Sequence, residues 1–283
     1  MFCSLIMCTR NRSRHLRSAL LALKMTARPN FSVELILVDN GSVDETPQVI
    51  NSFAQTSGWP TKAVSEPCVG LGRARNRGIE AANGEVLLFT DDDCYVSDNY
   101  FVDFRNSFDE RILQYGMGQV LLFDPEDDPR VANLKIEKLV IIPPRTPVVP
   151  TGHVQGANMF FHRRVLEKTG LFNNNMGAGT QFPCEDIELA SRASLAGFTG
   201  GLLPGFTVFH HHGRKTGSAE ADSTVQSYDF GRGAYYASLI ARGVNETWAY
   251  WGEKATQYTI NLDRFSRELE GAAAYLKHIA HSA

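Results

Sequence analysis

Apolar and polar residues fall into blocks of two kinds through the first third of the chain. Short aliphatic runs at Cys3–Cys8, Val33–Val38 and Glu85–Thr90 are nearly continuous rather than alternating, the mark of strands buried on both faces. Between them lie stretches with apolar residues at helical spacing. Arg14–Met25 places Leu16, Leu20 and Leu23 on one face, Asp44–Ala54 reads as a second helix, and Gly72–Asn83 as a third that Gly84 ends. Thr61–Ser65 is a weaker strand. This β-α-β-α rhythm predicts an α/β fold with a mostly parallel sheet and helices on both faces. Ligands of such sheets bind beyond the carboxyl ends of the strands. The polar clusters beginning at Thr9, Asp39 and Asp91 all follow a strand directly.

The pattern loosens in the second half. Gly118–Phe123 and Gly156–Phe161 read as strands. The proline-rich stretch from Asp124 to Pro150 reads as a long loop with one short helix at Ala132–Val140, the kind of insertion that often serves as a lid or an acceptor-binding segment. A helix is expected over Glu185–Leu195 and a short strand over Phe206–Phe209. From about Ser223 the chain reads as helical and aromatic to its end, with Tyr228, Phe230, Tyr235, Tyr236, Trp248, Tyr250, Trp251 and Tyr258 interspersed with Arg232, Arg242, Lys254 and Arg264. These boundaries divide the chain into a domain over 1–222, with a nucleotide-binding half at about 1–95 and an acceptor-binding half at about 96–222, and a helical C-terminal extension over 223–283.

Bulk properties narrow the classes. At 283 residues with 43% apolar and 21% charged composition, the chain is an ordinary globular protein, and a net charge of −3 gives no general attraction to nucleic acid. The five cysteines, Cys3, Cys8, Cys68, Cys94 and Cys184, form no C-x-x-C pair and read as free thiols in a reducing compartment. Met1–Cys8 is too short for a signal peptide, and its arginines follow the apolar run instead of preceding it. No apolar run approaches the ~18 residues of a spanning helix. A cytoplasmic location is expected. The aromatic and basic C-terminal segment is expected to pack on the core or on another subunit, with contact to the inner face of a membrane left open.

Four clusters have the residue types for chemistry. Asp91-Asp92-Asp93 closes a buried strand, and adjacent carboxylates repel unless a cation sits among them; oxygen ligands of this type suit Mg²⁺ or Mn²⁺. A solvated turn with one helix-capping Asp is the plain alternative. Glu185-Asp186 opens a helix, where acids favour the dipole. Asp186 shares a face with Leu189, Ala190 and Ala193, so it is expected to point inward and to serve as a general base with a raised pKa, while Glu188 and Arg192 pair at i,i+4. His210-His211-His212 ends a strand, and alternation sends His211 to the face opposite its neighbours. One imidazole is expected to complete a metal shell, with His212 preferred because Gly213 allows a tight turn beside it. Arg214 and Lys215 follow, as phosphate contacts or surface charge. Gly70-Leu71-Gly72-Arg73-Ala74-Arg75-Asn76 opens a helix that is able to face an anion, although it lacks a dinucleotide fingerprint.

Taken in order, these pieces resemble a family 2 glycosyltransferase of GT-A fold. The matching segments are Thr9-Arg10-Asn11-Arg12, Val38-Asp39-Asn40-Gly41-Ser42, Gly72-Arg73-Ala74-Arg75-Asn76-Arg77-Gly78, Asp91-Asp92-Asp93, Gly156-Ala157-Asn158, Gly177-Ala178-Gly179-Thr180 and Glu185-Asp186-Ile187-Glu188-Leu189. The resemblance spans roughly residues 3–215. It implies a Rossmann-like sheet that binds a nucleotide diphosphate sugar, UDP most commonly, with Mn²⁺ or Mg²⁺. The implied donor-binding set is Thr9, Arg10, Asn11, Arg12, Asp39, Gly41, Ser42, Gly72, Arg75, Asn76, Asp91, Asp92 and Asn158. Thr9 and Asp39 would meet the nucleoside. Asp93 and Asp91 would hold the metal with His210 or His212, and Asp186, beside Glu185, would be the base. The implied reaction inverts the anomeric carbon as a hydroxyl of a glycan or a lipid-linked saccharide attacks. Three other readings compete: a nucleotidyltransferase that makes nucleotide sugars, which would carry a glycine-rich loop where Thr9–Arg12 stands, a non-catalytic nucleotide-sugar binder, and a metal-dependent hydrolase. Association into oligomers is left open.

Overall fold

The computed structural model describes residues 1–257 and 262–282. The three buried runs become strands β1 (Phe2–Thr9), β2 (Ser32–Asp39) and β4 (Val86–Asp91), with the weak strand as β3 (Thr61–Ser65). The helices between them are α1 (Ser13–Met25), α2 (Thr46–Thr56) and α3 (Leu71–Ala81). β3, β2, β1 and β4 run parallel in that order, and the register sets Thr9 beside Asp39 and Cys8 beside Asp91. α3 lies on this sheet because Gly78 has no Cβ, which would come within 2.6 Å of Ile6 and 3.2 Å of Val38.

The remaining elements are β5 (Cys94–Val96), α4 (Tyr100–Ser107), β6 (Tyr115–Leu122), β7 (Val140–Ile142), β8 (Asn158–His162), α5 (Arg163–Thr169), α6 (Glu185–Leu195), β9 (Gly200–His210), α7 (Ala219–Ala241), α8 (Glu246–Gln257) and α9 (Leu262–Ser282). β8 joins β4 antiparallel, and the sheet continues through β6, β9 and β5, with β7 added on β9. The sheet is therefore mixed: parallel on the β3 side, with antiparallel pairings beyond β4. The ends of β1, β2, β4 and β9 and the start of β8 share one edge, which gathers the polar clusters.

Several expectations are corrected. Ala132–Val140 forms no helix. Leu134 exchanges backbone hydrogen bonds with Val120, and Ile136 N–H donates to the Gln119 side chain, so β6 takes the donors a helix would have used. The strand expected at Phe206–Phe209 extends back to Gly200, where it pairs with β7. The boundary expected at 222/223 falls inside α7, which starts at Ala219 because the Ser218 hydroxyl accepts the Ala221 N–H. The division near residue 95 falls inside β5.

The C-terminal aromatics mostly pack inward. Tyr235, Tyr236 and Trp251 are buried, and the Tyr235 hydroxyl reaches the Val149 carbonyl and Ser191 Oγ. Trp248 is exposed, and Tyr258 lies outside the described residues. Among the described residues no helix is long and apolar enough to cross a membrane, and all five cysteines are free.

Candidate active site

The acidic cluster is held by side chains from neighbouring strands. Thr9 Oγ1 donates to Asp92 Oδ2 at 2.6 Å, and Arg12 reaches both Asp93 Oδ2, at 2.7 Å, and Asp92 Oδ1, at 3.3 Å. Burial pushes Asp92 up to about 7, against the pull of Arg12. Asp93 stays below the ordinary carboxylate range because hydrogen bonds from His210 and Arg12 outweigh its burial.

His210 ends β9 opposite Cys94 and sets Nε2 at 3.2 Å from Asp93 Oδ1. Its pKa is raised, the bond to Asp93 outweighing burial. His211 points the other way, to the Tyr95 hydroxyl at 2.9 Å, as strand alternation requires. Of the two histidines expected at the metal, His210 is the one that meets Asp93, while His212 Nδ1 accepts the Arg214 N–H at 3.1 Å. The two rings stand 5.2 Å apart, and His210 Nδ1 and His212 Nε2 are buried without a hydrogen-bond partner among the described residues.

Ligand atoms of Asp93, Cys94 and His210 lie within 4.8 Å of one another. A hard divalent cation suits the carboxylate and imidazole of this group. Cys94 is a buried thiol whose pKa is raised well above the usual value, first by desolvation, so it is no ready ligand. The residues present therefore fit a Mg²⁺- or Mn²⁺-type ion on Asp93 and His210.

A cavity of 420 Å³ opens beside this cluster, lined by Asp91, Arg75, Gly156, Glu185, Asp186 and His210, and also by Arg130, Tyr228 and Arg232. Arg75 is buried. Its Nη1 lies 2.5 Å from Glu185 Oε1 and its Nη2 3.4 Å from Asp91 Oδ1, so it ties α3 to α6 and β4. Gly156 passes over this guanidinium with no room for a Cβ, and its N–H donates to Asp186 Oδ2 at 2.9 Å.

The inward face of α6 is corrected here. Glu185 is the more buried acid and is taken up by Arg75; Asp186 is half-buried, lines the cavity, and lies within ion-pairing distance of no cation among the described residues. Burial raises the pKa of Asp186, opposed by Arg75 and by backbone N–H donors. The Glu188–Arg192 pair forms as expected, at 2.9 Å, and Arg242 joins it at 2.8 Å.

The other expected donor residues divide into two groups. Asn11 and Ser42 sit together at the sheet edge: Asn11 N–H donates to Ser42 Oγ and Asn11 Oδ1 accepts from Val43 N–H. Asp39 Oδ1 accepts the Ser42 N–H across Gly41, whose φ of +70° favours glycine. Arg10 is exposed at the same edge. Gly72, Asn76 and Asn158 are placed as scaffold and do not line the cavity. A Cβ on Gly72 would come within 2.6 Å of the Asn173 carbonyl. The Asn76 amide is spent on Phe172 and Asn174. Asn158 bonds Tyr100, Gln119 and Phe206.

A mixed sheet with this edge defines a GT-A fold, and solved glycosyltransferases share it. The mannosyltransferase PcManGT of Pyrobaculum calidifontis, solved with GDP-mannose and Mn²⁺, superposes over 99% of this chain and 75% of its own, with a TM-score of 0.61 at 17% identity. A fragment of TarS from Staphylococcus aureus with UDP superposes over 100% and 92%, with a TM-score of 0.64 at 13% identity.

The chain belongs to glycosyl transferase family 2, whose model matches residues 4–170. Curated relatives include the glycosyltransferase AglE of Haloferax volcanii, 23% identical over 198 residues, which are 70% of this chain and 63% of that protein. The putative glycosyltransferase EpsH of Bacillus subtilis is 33% identical over 97 residues, 34% of this chain and 27% of its own length. The chain thus matches less than two thirds of the length of these relatives.

Proposed function

We propose that this protein is an inverting glycosyltransferase that moves a sugar from a nucleotide diphosphate donor, UDP-linked by preference, to a hydroxyl of a glycan or lipid-linked saccharide. The observation that carries the reading is Asp186: a carboxylate with no ion-pair partner among the described residues, lining one cavity with Asp91 and with His210, the partner of Asp93. TarS and PcManGT, solved with UDP and with GDP-mannose, support a nucleotide-sugar donor.

In this reading Thr9, Asn11, Asp39 and Ser42 receive the nucleoside at the sheet edge. Asp93 and His210, with Asp91 adjacent, hold Mn²⁺ or Mg²⁺, which when bound stabilises the charge gathering on the diphosphate leaving group. Asp186 accepts the proton of the acceptor hydroxyl as its oxygen attacks the anomeric carbon. The Gly156 and Ile187 N–H groups each donate to one oxygen of this carboxylate and hold its orientation. Glu185 is a positioning residue: its pair with Arg75 anchors the first turn of α6. Tyr228, Arg130 and Arg232, which also line the cavity, are the residues assigned to the acceptor. The free thiols support a cytoplasmic setting.

Thermal melts with UDP, GDP, dTDP and CMP, each with and without Mn²⁺, test the donor site, since ligands of the folded state raise Tm by mass action. A rise with one diphosphate that requires Mn²⁺ is expected. No shift with any nucleotide sinks the reading and leaves a non-catalytic role.

A further inference from the structure

α9 has one fixed face and one bare face. On the fixed face Glu268, Ala272 and Tyr275 are buried. The helix meets α7 so closely that a Cβ on Gly233 would collide with the Glu268 carbonyl and one on Gly271 with the Phe230 carbonyl. The bare face carries Leu262, Leu269 and Leu276, exposed to 72%, 47% and 44%. They recur every seventh residue, which keeps them in one stripe along the helix, and Ala273 and Ala280 fill it. At roughly 100° per residue, one flank of the stripe holds Asp263 and Glu270 toward the N-terminus and Lys277 and His281 toward the C-terminus. The other flank holds the partly buried Phe265 and Ile279. Exposed Trp248 stacks on Trp251 at 6.4 Å, and Trp251 meets Phe265 at 6.1 Å, which widens the apolar side.

We propose that this stripe is the surface through which two copies of the chain pair, α9 against α9, antiparallel about a two-fold axis near Leu269. The charge pattern selects this arrangement. A two-fold axis across the helix sets each flank against the same flank of the second copy in reverse order. Asp263 then faces Lys277 of the second copy, and the apolar flanks meet. Leu262 lies opposite Leu276, and Leu269 opposite itself. Parallel pairing would set the charged flank against the apolar one. A lipid surface is disfavoured: the flank holds two acids and one lysine, with no basic excess to hold an anionic bilayer. Glu270 meets Glu270 of the second copy near the axis, the one repulsive contact.

The test uses the full chain with Cys68, the exposed native thiol, changed to Ser, and one cysteine at a time introduced by Leu262→Cys, Leu269→Cys or Leu276→Cys. Under mild oxidation Leu269→Cys is expected to cross-link with itself. Leu262→Cys and Leu276→Cys are expected to cross-link only when mixed. In sedimentation, Leu269→Glu is expected to weaken dimerisation at least about 100-fold while leaving the Tm of the dilute, monomeric chain unchanged, and Glu270→Gln to strengthen it. Self-cross-linking at all three positions indicates parallel helices and overturns the proposal. So does a wild-type chain that sediments as a monomer, or one that binds anionic vesicles through Leu269 instead of dimerising.

Discussion

Gly156 packs directly on the buried Arg75 guanidinium, and Gly156→Ala probes that network with one methyl. The backbone there has no positive φ, so alanine meets no conformational strain and only contact matters. The methyl would sit 3.1 Å from Arg75 Cζ and 3.2 Å from Nη1, with Nη2 closer still. Ordinary packing needs about 3.5 Å, so the guanidinium has to retreat by roughly 1 Å. It has nowhere to go: its side chain is 3% exposed and its Nη1 is already 2.5 Å from Glu185. Either the ion pair opens or the Gly156 N–H leaves Asp186. Overpacking of this kind costs about 1–3 kcal/mol and full loss of a buried pair about 3–5 kcal/mol, so a partial loss places the variant roughly 2–4 kcal/mol below wild type.

Urea unfolding measures that difference. Turnover should fall about 100-fold, the order expected when a reacting group is displaced by 1 Å. Arg75→Lys removes the forked end that the methyl strikes, so the double variant should show a coupling of at least about 1 kcal/mol. A Gly156→Ala protein within about 0.5 kcal/mol of wild type and fully active would refute the contact, and with it the anchoring of α6 through Arg75.

Asp186→Asn is expected to lower kcat by about 10²–10⁴-fold and yet to raise Tm at neutral pH. The sign follows from linkage: the folded state lifts the Asp186 pKa above 3.8, so its ionised form costs stability once pH rises past that value. For the same reason the acid limb of the wild-type kcat profile should lie above 3.8, rate falling as pH drops; a profile flat down to that pH removes Asp186 as the base. Asp93→Asn and His210→Ala should each abolish the Mn²⁺-dependent part of the nucleotide-induced melting shift, while His211→Ala, which touches only Tyr95 and its surroundings, should leave it in place. Glu188→Gln strands two arginines around a side chain that is 1% exposed and should lower stability by about 3 kcal/mol, read by urea unfolding.

The elements that create the site edge were legible because each is a local pattern. Buried aliphatic runs stop at Thr9, Asp39 and Asp91, and alternation along β9 separates His211 from His210 and His212. What was not legible depends on contacts between distant segments. Arg75 meets Glu185 across 110 residues, and nothing in either stretch announces the other. Helical spacing around Asp186 gave the wrong inward acid, because an arginine from α3 stabilises the neighbouring carboxylate in the interior. His212 was preferred on the turn after it, whereas the choice between histidines depends on how β5 and β9 register. Asn76 and Asn158 have the polar character of ligand residues but serve as internal hydrogen-bonding posts, a use that composition does not distinguish.

The charge arrangement gives a reason to expect metal dependence that does not rest on likeness. Asp91, Asp92, Asp93, Glu185 and Asp186 crowd one end of the sheet, matched by Arg12, Arg75 and His210. Every arginine lining the cavity already holds a carboxylate: Arg75 holds Glu185 and Asp91, Arg130 holds Asp128 and Asp222, and Arg232 holds Asp229 and Glu268. Among the described residues, an incoming diphosphate would therefore find no uncommitted arginine lining the cavity and would face carboxylates instead. A divalent ion arriving with it would supply the missing charge, and on the protein alone that ion would meet Asp93, already shared with Arg12, and the His210 imidazole. Each ligand improves the site for the other. Because such coupling is reciprocal, the factor by which Mn²⁺ tightens the nucleotide must equal the factor by which the nucleotide tightens Mn²⁺. Titrating each in the presence and absence of the other measures both factors, and a diphosphate that binds equally well without any divalent ion would show that the protein's own arginines release their acids to receive it.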